Sequence, residues 1–236
     1  MNPYAVLAAA ASRWDRVAAR IGPEARDRLA ELLAAVRRPD AGHSTGRGPA
    51  GDAAARAAAE LLAQEIPAEF GTEQTARLAP DATLTRPDAT TPDLTGPGLT
   101  VHGYAADDLA VLLSDGHRMV GPVLGPVRRR LLAEPALDAE AVLQGGGSPF
   151  APELIRLRGA GGQLRLPRFQ FSEDTLPWLV VLEVNAVLAA DRDPWGAADW
   201  WLSANTWLGG TSPAALLGSG HDRQLADTAR FLMEGE

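Results

Sequence analysis

The chain of 236 residues contains no cysteine and no lysine; all 22 cationic side chains are arginine. Without cysteine there is no disulfide framework, no thiolate zinc site and no thiol nucleophile. Without lysine there is no Schiff base and no phosphate-loop lysine. Only four histidines occur (His43, His102, His117 and His221), none at ligand spacing, so no His-based metal site is expected. No run of 18 apolar residues exists, and Arg13 directly follows the short apolar stretch Ala8–Ala11 and Ser12. Neither a membrane span nor a secretory leader is therefore expected, and the chain reads as a cytoplasmic protein. A nucleophile elbow, a phosphate-binding P-loop and a dinucleotide glycine pattern are all missing, which disfavours an enzyme and implies no cofactor.

What is present is uneven charge. The net charge of −8 argues against a general nucleic-acid coat. Residues 118–168 hold eight Arg against four acids, whereas residues 172–236 hold three Arg against ten. A basic block beside an acidic block points to surfaces with different tasks.

The periodicity predicts a mainly α fold with one short hairpin. Leu7, Ala11, Trp14, Ala18 and Ile21 recur at helical spacing. Pro23 opens a second helix with Leu29, Leu32, Leu33 and Val36 on one face, and an Ala-rich third runs from about Asp52 to Ile66. Residues 1–78 thus read as a helical module, a small bundle or a homo-oligomerisation device. Residues 79–98 are rich in Thr and Pro and read as a linker. Over 99–168 the pattern predicts helices at Ala105–Leu113, at Met119–Leu132 (kinked, or starting near Pro126) and at Ala136–Leu143. A hairpin follows at Leu154–Leu166 around the turn Gly159–Gly162. Residues 176–190 are apolar almost all round and read as a buried helix, with Pro177 in its first turn and Asp174 or Thr175 as cap. Five of the six Trp residues lie between Trp178 and Trp207, a density read as core first and interface second. Asp191, Asp193 and Asp199 cluster in sequence, but Asp191-Arg192-Asp193-Pro194 reads as a helix-capping loop in preference to a cation site, since spaced EF-hand ligands are missing.

From Leu164 to Phe171, through the apolar helix, Asp193-Pro194-Trp195 and Trp200-Trp201-Leu202, to Asn205–Gly210, the sequence resembles the toxin-binding domain of Xre/MbcA/ParS-type antitoxins. Asn205, Leu208, Gly210, Pro213, Leu216 and Leu217 match that family's spacing. The resemblance spans roughly residues 136–232, with a degenerate helix-turn-helix-like region up to 168 and the toxin-binding-like domain over 169–236. It implies a non-catalytic antitoxin that neutralises a RES-domain, NAD-consuming toxin of a type II toxin–antitoxin system. Partner contacts are expected at Asn205, Trp207, Leu208, Gly210, Asp222 and Arg223. Two alternatives stand beside it. One is a DNA-binding regulator using Arg128, Arg129, Arg130, Arg156 and Arg158, although Gln144–Pro152 is too rich in Gly and Pro for a recognition helix. The other is an enzyme that no motif reveals.

Overall fold

The computed structural model describes residues 2–38, 49–71, 73–74, 98–159, 162–173 and 175–234. All of the expected linker but Gly98 lies outside them. The fold is mainly α, with one two-stranded and one three-stranded sheet among the described residues. The chain forms two compact units, Met1–Pro126 and Val127–Glu236. This division differs from one at residue 98. Leu99, Val101, Leu109 and Val120 sit in the same core as the N-terminal helices, so residues 99–126 belong with the first unit.

In the first unit, α1 (Pro3–Ser12) is capped by the Asn2 side chain and ends where Arg13 leaves helical geometry. The expected single helix is thereby split, and α2 (Trp14–Arg20) restarts it. Every residue of α1 from Tyr4 to Ala11 is buried, where sequence spacing had predicted one buried face. The reason is its surroundings. It packs against α4 (Pro49–Glu65), against the hairpin β1 (Thr100–Val101) and β2 (Tyr104–Ala105), and against α6 (Ala106–Ala110). Alanine faces make such enclosure workable: Ala8–Ala11 on α1 and Ala54, Ala55, Ala58 and Ala59 on α4 let the backbones approach closely. Tyr4 anchors the pair by donating its hydroxyl to Asp52.

Helix α3 (Pro23–Arg37) buries Leu29, Leu33 and Val36 as its periodicity predicts, with Leu32 half-buried. The short α5 (Pro67–Phe70) adds the fully buried Phe70. Helix α6 does not run to Leu113 as an α-helix. It widens into a π-helical turn, Val111–Asp115, closed by Gly116 in the left-handed region. Helix α7 (Gly121–Ala133) carries Pro126 within it.

Gly121 opens α7 at φ +77°, and a Cβ there would lie 2.7 Å from the Tyr104 ring. Gly121→Ala combines a disfavoured backbone with a clash, so a loss of about 2–3 kcal/mol is expected. The urea midpoint reports it. An unchanged midpoint would show that the Tyr104 ring is free to move aside.

The second unit starts differently from its sequence reading. Ala136–Leu137 is a strand, β3, and only then does Asp138 cap α8 (Ala139–Gln144) through the Ala141 N–H at 2.8 Å. The hairpin forms as expected in place, from β4 (Leu157–Arg158) and β5 (Leu164–Pro167), pairing Leu157 with Arg165 and Arg158 with Leu164. β3 adds to the free side of β5, giving the order β3–β5–β4. Helix α9 (Leu179–Val187) begins after Pro177, whose backbone bridges to Phe171, and Thr175 sits at φ +62° outside it. Its burial is one-sided: Val180, Val181, Val184 and Asn185 face inward, while Leu179 is 83 % exposed. Asp193 caps α10 (Pro194–Leu202) by accepting from Gly196 N–H at 2.9 Å. The last helix, α11 (Asp222–Glu234), packs against α9. No described helix is long and apolar enough to cross a membrane.

Candidate functional site

The stretch Asn205–Thr211 is folded around one asparagine. Asn205 Oδ1 accepts from Trp207 N–H at 2.9 Å and caps a 3-10 turn, Thr206–Leu208. Its backbone closes the loop: Asn205 N–H donates to Thr211 O at 3.2 Å, and Gly210 N–H donates to Asn205 O at 2.9 Å. Gly209 and Gly210 both take positive φ, 65° and 82°, which lets the chain reverse at no steric cost. Leu208 points into the core at 6 % exposure, and its neighbour Trp207 is turned outward at 63 %.

Trp207 meets Phe231 of α11 edge-on, with ring centroids 4.9 Å apart and planes at 62°. Phe231 is itself 57 % exposed. Helix α11 buries Leu225, Ala226 and Ala229, which leaves Gln224, Asp227, Thr228 and Phe231 along its outer side. Between this side and Trp207 lies an open groove of about 560 Å³, bounded at the helix start by Gly220 and His221. Ser219 Oγ lies 2.8 Å from His221 Nδ1. Ion pairs fasten the surroundings: Arg230 bonds to Glu183 of α9 and, at 3.2 Å, to Asp227, and Arg223 lies 3.7 Å from Asp227.

The expected partner residues therefore divide by task. Trp207 and Arg223 line the groove, and Asp222 is exposed at the start of α11. Asn205, Leu208 and Gly210 shape the turn that presents Trp207. Phe231 is an addition to the expected partner residues: of the apolar side chains of α11, Leu225, Ala226 and Ala229 face inward, while Phe231 and Leu232 lie exposed.

Of the five arginines proposed for DNA, three are buried or already hydrogen-bonded within the unit. Arg128 is only 6 % exposed. Arg130 bonds to Asp199 and also reaches Ser203 Oγ at 3.3 Å, and Arg156 donates to Phe150 O at 3.1 Å. Arg129 and Arg158 remain exposed, one on α7 and one on β4. No helix lies between Gln144 and Leu157, where a recognition helix would stand.

The unit also holds a buried polar network that periodicity alone did not reveal. Trp201 Nε1–H donates to Asn185 Oδ1 at 2.8 Å. Asn185 Nδ2 donates to Glu153 O at 2.7 Å and to Gln170 Oε1 at 3.2 Å. Gln170 Oε1 also accepts from Ile155 N–H at 2.7 Å, and its Nε2 donates to Ile155 O at 3.1 Å. All three side chains are fully buried. The available signal was a lone Asn inside an apolar helix, which in a buried setting must be hydrogen-bonded.

Comparison with family models, with characterised proteins and with solved structures finds no match for the chain.

Proposed function

We propose that the second unit is a protein-binding module that works by occupying its partner, in the manner of an antitoxin. The observation that carries this reading is the exposed Trp207–Phe231 pair at the edge of the α11 groove. Aromatic side chains held outward by a rigid turn are typical anchors of protein interfaces, since they offer large contact area at little entropic cost. The surrounding block, with its excess of acids over residues 172–236, suits a partner whose entrance is positively charged. A RES-domain toxin has that character, because its pocket must attract an anionic dinucleotide; it is the partner implied by the antitoxin resemblance. On this reading the chain performs no chemistry of its own. The alternative of DNA binding gains nothing from Arg128, Arg130 and Arg156, which are buried or already bonded.

The test is capture of a RES-domain toxin by the purified chain, measured by calorimetry and by rescue of growth. Trp207→Ala and Phe231→Ala are each expected to weaken binding by about 30-fold, the loss typical of a hot-spot residue. Both side chains are largely exposed, so thermal stability is expected to stay near that of the parent. Full capture and full rescue by a folded Trp207→Ala chain would overturn the reading.

A further inference from the structure

A second site lies in the first unit, where α1 breaks and α2 begins. Two hollows, of about 330 and 410 Å³, meet here and share Ser12, Trp14, Asp15 and Tyr104 as walls. Volumes of this order fit a small molecule. Arg13, Arg16 and His102 line one hollow, Arg118 lines the other, and the Arg26 guanidinium stands 5.8 Å from the Trp14 ring centroid. Asp15, the one acid among the walls, is bonded to Arg118 at 3.0 Å. The unit as a whole holds sixteen acids against twelve Arg, so this cationic pocket runs against its average.

The backbone builds the pocket from both sides. Arg13 sits at the helix break with φ −117° and ψ 26°, which sets Arg13, Trp14 and Arg16 around one corner. Opposite, the two-residue turn of the β1–β2 hairpin has positive φ at both His102 (54°) and Gly103 (80°). Such a turn favours Asn or Gly at its first position. A histidine there costs conformational energy, and its side chain borders the hollow. Tyr104 is fixed from behind by Gly121, whose missing Cβ leaves room for the ring.

We propose that this pocket binds a planar aromatic phosphate of mononucleotide size. Trp14 and Tyr104 supply ring contacts, and Arg13 and Arg16 supply charge-assisted hydrogen bonds to the phosphate. The site is separate from the α11 groove and does not depend on the protein-binding reading.

Adenosine 5′-monophosphate, adenosine and inorganic phosphate would be titrated in turn into the full chain by calorimetry. A parallel titration would follow tryptophan emission. Saturable binding of the monophosphate is expected, at least about tenfold tighter than either half-ligand, since both ring and charge contribute. Arg16→Glu changes an exposed side chain and should retain the parent melting curve while weakening binding by about tenfold or more. The emission change should vanish in Trp14→Phe, which keeps a ring in the pocket but removes the reporter. Phosphate alone binding as tightly as the monophosphate would overturn the proposal. So would equal binding by adenosine, an unaffected Arg16→Glu chain, or no saturable binding of the monophosphate.

Discussion

Asn185→Leu should be the most damaging single change in the second unit, lowering its stability by about 3–5 kcal/mol. The new side chain is of similar size and apolar, so loss of packing is not the cause. The cause is that Trp201 Nε1–H loses its acceptor at 2.8 Å, while Glu153 O and Gln170 Oε1 lose a shared donor. Each buried polar group left unpaired costs about 1–3 kcal/mol, because water cannot replace the lost partner. The measurement is thermal unfolding followed by tryptophan emission, which reports mainly on this unit because five of the six Trp residues lie in it. For a unit near 100 residues the loss corresponds to a fall of roughly 15 °C in Tm. Trp201→Phe separates the hydrogen bond from the ring. It keeps the contact with Phe169, now at 5.5 Å between centroids, removes one donor, and should fall by less. An Asn185→Leu chain that melts with the parent would show that the network forms only a minor part of the fold.

This network also carries a consequence for the Trp207 surface. Asn185 lies on α9, Trp201 on α10, and Gln170 in the 3-10 turn after β5. One amide group therefore ties α9 by directional bonds to α10, to the 3-10 turn and to the backbone at Glu153, where apolar packing alone would allow sliding. α11 in turn packs on α9 and carries Phe231. The outward aromatic pair thus rests on a rigid base. A rigid anchor loses little entropy on binding, which favours affinity.

Legibility in the sequence followed the range of the interactions. Where a residue's role is decided by neighbours within about eight positions, the reading matched the structure: Leu29, Leu33 and Val36 on α3, the Asp193 cap, and the Leu157–Leu164 hairpin. Where distant segments decide, it did not. α1 looked amphipathic but is enclosed by α4, α6 and a hairpin roughly a hundred residues on. The run from Leu176 to Ala190 looked buried all round, yet Leu179 faces solvent. β3 looked like the start of a helix and became a strand because β5 offered a free edge. Trp207 and its glycines were legible because the turn is local. Phe231 was not, because its partner lies 24 positions away across a loop.

A sealed ion pair between distant segments gives the first unit its largest expected effect. Arg37, the last residue of α3, meets Asp115, the last residue of the π-helical turn, in a two-pronged ion pair at 3.0 and 3.1 Å. Both side chains are nearly sealed, at 7 % and 4 % exposure, and Arg37 Nε also lies 3.4 Å from Asp107. The wider π turn places Asp115 at this spot; a continued α-helix would rotate it away. Removing one partner leaves the other charge buried without compensation, a cost of about 3–5 kcal/mol. Arg37→Met is therefore expected to destabilise the first unit strongly, through Asp115 and Asp107 together. Asp115→Leu should cost less, because Asp107 still faces Arg37. The double variant Arg37→Met/Asp115→Leu should recover much of the loss, since a sealed ion pair gives little net stability over well-packed apolar groups. Amide hydrogen exchange in α3 and α6 resolves this unit from the other. A double variant that exchanges faster than either single variant would show instead that the pair holds α3 and the π turn in place by its directionality.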